Sequence, residues 1–219
     1  MRKVTARRLS LLGAAITVPL LVTAITALYS RLRLTPKNVP PEAAAAAVKV
    51  TAPVSSQSLY QLESVWTTDH GRTLKLIDLR GRYTILSLIF TRCSGTCPVL
   101  VKELQVLSSS LSADIKNRSR FVAITIDPTD TPDTLLQYRH EMRLDEQQWI
   151  LLRSTPEAVR ELTAVLGFNY APASEQSDDM QFSHSNLLTL LNPRGEIIRQ
   201  QQGAGGNLND FISLIRDAT

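Results

Sequence analysis

Two nearly continuous apolar runs in the middle of the chain restrict the fold more than any other feature of the sequence. The first is YTILSLIF, from Tyr83 to Phe90, and the second is FVAITI, from Phe121 to Ile126. Such runs are typical of strands that are covered on both faces of a sheet. Each run is followed by a helix start, since Pro98 and the pair Thr131-Pro132 suit the first turn of a helix. The sequence therefore predicts an α/β fold with a buried central sheet.

The other segments of the soluble part continue the alternation of strands and helices. We expect strands at Ser64–Thr67, Leu74–Leu79, Trp149–Leu152, Ser185–Leu191 and Glu196–Gln201, and helices after the cysteines, from Thr131, from Thr155 to about Leu166, and at Asn207–Arg216. Strands alternating with helices, followed by a hairpin and a last helix, describe a three-layer domain with a mixed central sheet. A thioredoxin-like fold has this order of elements.

The N-terminal region predicts a membrane anchor. Residues 9–29 form an apolar stretch of 21 residues without a charge, and a helix of that length spans the ~30 Å hydrocarbon layer. We interpret residues 1–8 as a basic cytoplasmic N-terminus, residues 30–56 as a linker, and residues 57–219 as the folded domain, which is exported. A cleaved signal peptide is the alternative, although the apolar run exceeds the usual core of such a signal.

The charge distribution argues against nucleic acid as a partner. The net charge is +4, but the basic excess flanks the apolar stretch, at Arg2, Lys3, Arg7, Arg8, Arg31, Arg33 and Lys37. No other cluster of Lys and Arg is interleaved with aromatic residues, as a surface that follows phosphates would need.

The chain has only two cysteines, Cys93 and Cys97, at the junction between a buried strand and a helix. Residues four apart share one face of a helix, so both sulfurs are able to converge on one ion or to form a disulfide after a modest adjustment. The amides of a helix N-terminus favour anionic sulfur, which predicts a lowered thiol pKa. A purely structural disulfide is the alternative in an exported domain, but so short a loop restrains the unfolded chain little.

The segment from Phe90 to Pro98 resembles the C-x-x-x-C-P motif of the Sco (SenC) family. Two further blocks resemble the same family, in the same order along the chain: Ile126-Asp127-Pro128 with Asp130-Thr131-Pro132, and His184 before NLLTLLNPRG. Ser94 replaces the proline that commonly follows the first cysteine, and the interval from Asp127 to Asp130 is one residue shorter than usual.

The resemblance implies a copper site formed by Cys93, Cys97 and His184, with one copper ion per domain. Copper(I) is soft and accepts two or three ligands, whereas structural zinc normally takes four protein ligands. Asp127 is a candidate for the groups around the site. Met180 is a further thioether on the loop before His184, where packing is the alternative role.

The other histidines, His70 in a predicted turn and His140 on a polar helix, are interpreted as surface residues. A thiol-disulfide oxidoreductase that uses Cys93 and Cys97 as a redox-active disulfide is the competing function. Such an enzyme on this fold normally has two residues between its cysteines, whereas this chain has three.

The resemblance also implies a task and a partner. Members of the family deliver copper to the binuclear copper centre of cytochrome c oxidase, or keep the cysteines of that centre reduced. The partner is therefore expected to be the oxidase subunit that carries this centre, or another copper protein. Because no Ser-rich, Arg-rich presequence precedes the anchor, we expect a bacterial inner membrane, with the domain facing the periplasm or the outside, rather than mitochondria.

Overall fold

A computed structural model of the chain describes residues 55–93, 96–168, 187–202 and 207–218. Among these residues are seven strands: β1 Val65–Thr68, β2 Thr73–Lys75, β3 Tyr83–Ile89, β4 Ser119–Thr125, β5 Trp149–Arg153, β6 Leu187–Leu191 and β7 Ile197–Gln202. Five α-helices are α1 Thr96–Ser110, α2 Ala113–Arg118, α3 Pro132–Met142, α4 Pro156–Val165 and α5 Asn209–Asp217. Short 3-10 helices lie at Leu59–Gln61 and Leu76–Leu79.

The strands form one mixed sheet in the order β2-β1-β5-β4-β3-β6-β7. The central strands β3, β4 and β5 run parallel to one another, and β1 and β6 join them antiparallel. The prediction of an α/β domain with a mixed sheet, in the order of a thioredoxin-like fold, is confirmed. Because β3 and β4 are parallel neighbours, their carboxyl ends meet at one edge of the sheet, and the loops that follow them lie side by side.

Helices cover both faces of this sheet. On one face α1, α2, α3 and α5 pack against the sheet through residues such as Leu104, Tyr138 and Phe211. On the other face α4 and the two 3-10 helices pack over the sheet, and both cysteines belong to this second core. The arrangement agrees with the three predicted layers.

One local prediction needs correction, and one short helix was not predicted. The segment Leu74–Leu79 was predicted as one strand, but only its first part pairs with β1, and Leu76–Leu79 is a 3-10 helix. The side chain of Asp78 accepts a hydrogen bond of 2.8 Å from the amide of Lys75, which closes the turn. Leu76 and Leu79, three residues apart, are then both buried on one side of the turn. The short helix α2 was not predicted.

A buried ion pair joins α3 to the turn after β1. Arg139, which is 3% exposed, donates through Nε to the Asp69 carboxylate. Its other nitrogens donate to the carbonyl oxygens of Leu144 at 3.3 Å and Trp149 at 3.1 Å. The turn, α3 and β5 are thereby fixed to one another at the end of the sheet opposite to the cysteines.

No helix among the described residues, which begin at position 55, is long and apolar enough to cross a membrane. The predicted anchor at residues 9–29 and most of the predicted linker at residues 30–56 lie outside the described residues.

Candidate metal centre

Both cysteines lie at the carboxyl end of β3. Cys93 follows the strand, and its amide donates to the carbonyl oxygen of Phe90 at 3.2 Å. Cys97 is in the first turn of α1, where Pro98 also lies, as predicted. Cys93 is 8% exposed and Cys97 3%, and both are free thiols.

The pKa of the Cys97 thiol is raised to about 12. Burial is the largest cause, followed by a hydrogen bond and a charge interaction with Cys93. Backbone hydrogen bonds from Phe90, after β3, and from Cys97 itself act in the opposite direction but are outweighed. The predicted lowering of the thiol pKa is therefore wrong for Cys97, because removal from water favours the neutral form more than the backbone hydrogen bonds favour the anion. A thiolate at this position needs a positive charge beside it, which a metal cation would supply if one were bound there.

Asp127 fixes the residue that precedes Cys93. The Arg92 guanidinium donates to Asp127 through Nη2 at 2.8 Å and through Nε at 3.2 Å. Thr129 donates to the same carboxylate from its amide at 2.9 Å and from its hydroxyl at 2.7 Å. Burial raises the pKa of Asp127, but the hydrogen bonds from Arg92 and Thr129 outweigh it and hold the pKa below its usual value. The predicted candidate Asp127 is thus linked to the cysteine through Arg92.

Asp130 binds Thr91, the residue that precedes Arg92. Asp130 is 2% exposed. Its carboxylate accepts hydrogen bonds from the Thr91 hydroxyl at 2.5 Å and from the Thr91 amide at 3.2 Å. The Thr125 hydroxyl donates to it as well. The two aspartates after β4 therefore act separately, since Asp127 binds Arg92 and Asp130 binds Thr91. Together they fasten the segment 91–92, directly before Cys93, to the loop of the neighbouring strand.

Tyr138 is a further residue at the site that sequence reasoning missed. Burial raises its pKa, and the charges of Cys97, Cys93 and Asp130 act in the same direction, which places the phenol near these groups. Its hydroxyl is buried and has no hydrogen-bond partner within the described part of the chain. The position of Tyr138 on α3, a helix with a polar sequence, gave no signal that the phenol lies within electrostatic range of the cysteines.

The predicted ligand His184 lies outside the described residues, as do Met180 and Ser94. Within the described ranges, no group of three His, Cys, Asp or Glu residues is arranged to hold a metal ion. His70 and His140 are exposed, as expected. His70 lies near Asp69 and Glu146, with nitrogen-to-oxygen distances of 3.9 and 3.8 Å, far along the sheet from the cysteines. The structure thus brings Cys93 and Cys97 together. Asp127 is linked to them indirectly, because it binds Arg92, the residue before Cys93.

The SCO1/SenC family model matches residues 56–217. A protein of Stutzerimonas stutzeri whose name describes it as copper-binding is 33% identical over 142 residues, which are 64% of this chain and 67% of the relative.

Solved structures of Sco proteins share the fold. Arabidopsis thaliana ScoI with copper bound matches with a TM-score of 0.59 and 21% identity, over 70% of this chain and 94% of the plant protein's chain. BsSco, a member of the Sco family of cytochrome c oxidase assembly proteins in which a disulfide switch was identified, matches with a TM-score of 0.60 and 22% identity, over 76% and 98% of the two chains. At these identities the solved structures establish the common fold alone. The family model, in contrast, covers most of the chain. The chain therefore belongs to the SCO1/SenC family.

Proposed function

We propose that this protein binds one copper ion through Cys93, Cys97 and His184, and delivers it to the binuclear copper centre of cytochrome c oxidase. The observation that carries the proposal is the pair of buried, free thiols that interact with each other at the end of β3. Two sulfurs held together in a site with little water suit a soft, monovalent cation. The copper-binding name of the Stutzerimonas relative and the copper bound to the plant ScoI support the choice of metal.

His184 completes the proposed ligand set. A two-thiolate site gains an imidazole as its third donor, and His184 is the histidine that matches the family motif in this sequence. His70 and His140 are exposed and are not at the cysteine end of the sheet, which supports the assignment to His184.

Thiol-disulfide exchange is the second candidate function. Cys93 and Cys97 are both buried at the end of β3 and their thiols interact, so that a local adjustment would bring the sulfurs to the ~2.05 Å of a disulfide bond. The disulfide switch identified in BsSco supports this alternative. The same dithiol is able to serve both functions, because copper(I) binds it only in the reduced form.

We further propose that residues 9–29 anchor the protein in a bacterial inner membrane, with the domain on the periplasmic or outer side. The uncharged apolar length of that stretch and the basic residues before it support this orientation. N-terminal sequencing of the mature protein tests the anchor. A mature chain that starts near residue 28 would mean a cleaved signal peptide instead.

The copper proposal is tested with the reduced full chain, titrated anaerobically with copper(I) in competition with a chromophoric chelator. We expect one copper per chain, loss of binding in Cys93→Ala and Cys97→Ala, and an affinity at least about tenfold lower in His184→Ala. His140→Ala is the matched control, because it removes an exposed imidazole from α3, and we expect it to bind copper normally.

The same variants separate delivery from disulfide exchange. If His184 is a ligand, His184→Ala weakens copper binding while reduction of a generic disulfide substrate changes little. Full copper affinity in His184→Ala combined with lost reductase activity would make the protein a thiol enzyme and overturn the ligand assignment.

A further inference from the structure

Arg82 and Arg120 lie together at the amino end of the central strands, opposite to the cysteines. Arg120 is the second residue of β4, and its Cα partner in β3 is Thr84. Arg82 precedes Thr84 by two residues, and residues two apart along an extended chain point to the same side. Both arginines are partly buried. The pairing register thus places the two guanidinium groups close together, on the face of the sheet that carries the second core.

Among the described residues, no carboxylate neutralises either of these two cations. Within the described ranges no carboxylate forms an ion pair with either arginine. Arg82 donates through Nη2 to the carbonyl oxygens of Lys116, at 2.5 Å, and Ser119, which carry no net charge. The Nε atoms of Arg82 and Arg120 are buried without a hydrogen-bond partner in the described part of the protein.

Burial weakens the hold of both arginines on the proton, and at Arg120 the charge of Arg82 adds to this effect. Burial lowers the pKa of Arg82. Burial, followed by the charge of Arg82, lowers the pKa of Arg120 to about 10. At neutral pH both groups remain charged, so the folded protein holds two like charges in a site with restricted access to water. Such an arrangement is destabilising until an anion joins it.

The chain enters the folded domain beside this pair. Gly81, next to Arg82, donates from its amide to the carbonyl oxygen of Pro193 at 3.0 Å, in the turn between β6 and β7. The same turn binds the start of the domain, because the Ser58 hydroxyl donates to the carbonyl oxygen of Arg194 at 2.6 Å. The segment that leads to residues 1–54 therefore emerges at the arginine end of the sheet.

We propose that Arg82 and Arg120 bind a phosphate-type oxyanion, which a phospholipid headgroup supplies in the anchored protein. Guanidinium groups match the planar spacing of phosphate oxygens and form charge-assisted hydrogen bonds with them. The phosphate site depends only on the arginine pair, whereas its lipid source rests on the membrane anchor put forward under the proposed function. Binding there would hold the arginine end at the membrane and direct the cysteine end away from it.

The phosphate site is tested by thermal unfolding of the full chain in neutral detergent. We expect inorganic phosphate to raise the Tm of the wild type. Arg120→Gln should melt at a higher temperature than the wild type without phosphate, because a repulsion is removed, and should not respond to phosphate. Arg199→Gln, which removes an exposed charge from β7, is the matched control and should respond like the wild type. A lower Tm for Arg120→Gln in phosphate-free buffer, or an unchanged phosphate response, overturns the site.

The lipid source is tested by arginine footprinting with phenylglyoxal, followed by peptide mass spectrometry. The full chain is compared in nanodiscs of phosphatidylcholine alone and in nanodiscs that contain phosphatidylglycerol. We expect phosphatidylglycerol to slow modification of Arg120 by about fivefold, while Arg199 reacts equally in both. A phosphate response without this protection supports a free anion and overturns the headgroup. Copper titration of the same preparation reports on the metal site independently, so failure of one proposal is distinguishable from failure of the other.

Discussion

The Asp130 carboxylate is predicted to support both the stability of the domain and the geometry of the cysteine site. It accepts three hydrogen bonds, two from Thr91 and one from the Thr125 hydroxyl. Each hydrogen bond to a charged group contributes ~1.5–3 kcal/mol, and a buried donor left without a partner adds a further penalty. Since such contributions overlap, we expect Asp130→Ala to lower the free energy of unfolding by ~3–5 kcal/mol. For a domain of this size that corresponds to a Tm lower by ~10 °C.

The assay is thermal unfolding followed by circular dichroism, with Asp133→Ala as the matched control. Asp133 lies three residues further on, is exposed, and belongs to the first turn of α3. Its removal should cost at most ~1 kcal/mol, the contribution of a surface charge at a helix start. We also expect Asp130→Ala, but not Asp133→Ala, to weaken copper(I) binding, because the segment before Cys93 loses its attachment.

A double-mutant cycle isolates the contact between Asp130 and Thr91. Thr91→Val removes the hydroxyl that donates to the carboxylate and keeps the shape of the side chain. If the two groups act through this contact, the combined loss should fall short of the sum of the single losses by at least ~1 kcal/mol. Additivity within ~0.5 kcal/mol, or an Asp130→Ala variant as stable as Asp133→Ala, would refute the reasoning.

Three further predictions concern other parts of the domain. Arg139→Met leaves the buried Asp69 carboxylate without its arginine partner. It should lower the free energy of unfolding, measured in urea, by ~3–5 kcal/mol. The added change Asp69→Leu should recover part of this loss, and no recovery would contradict the pairing. Gly195→Ala should be strongly destabilised or fail to accumulate, because φ is +83° and an added Cβ would lie 2.4 Å from Cδ2 of Tyr60; wild-type thermal stability would count against this packing. Alkylation of Cys97 in the reduced, metal-free protein, followed by peptide mass spectrometry, should keep accelerating up to a pH of about 12, because its pKa is raised to that value; a rate that levels off near pH 9 would show an unshifted thiol.

The parts of the fold that the sequence predicts well are those fixed by local chemistry or by burial on both sides. The prediction for β3 ended one residue late, at Phe90 instead of Ile89, and that for β4 began two residues late, at Phe121 instead of Ser119. Continuous apolar runs define such central strands wherever they lie in the sheet. The start of α3 was also correct, because the Thr131 hydroxyl accepts a hydrogen bond from the Thr134 amide and Pro132 follows it. These signals need no knowledge of the rest of the chain.

The predicted strand Leu74–Leu79 was partly wrong for a reason that also lies in its sequence. Leu76 and Leu79 are three residues apart, a spacing that fits one side of a helical turn. The side chain of Asp78 decides between the two conformations by closing a turn onto the amide of Lys75. In a short apolar segment such as Leu74–Leu79, which lacks the alternation of a strand, a single acidic residue is therefore a signal for a capped turn.

At the candidate site, spacing alone predicted the proximity of the cysteines, but not the contacts that hold them. Asp130 and Thr91 are 39 residues apart and meet only because β3 and β4 are parallel neighbours, so that the loops after both strands lie at one edge of the sheet. The predicted lowering of the Cys97 pKa was wrong for a related reason, because a sequence shows where a helix starts but not how deeply a thiol is buried. A polar pair such as Thr91-Arg92 directly after an apolar strand is nevertheless informative. Two polar residues that close a buried strand require partners, and the acidic segment after the neighbouring parallel strand is the place where such partners are to be sought.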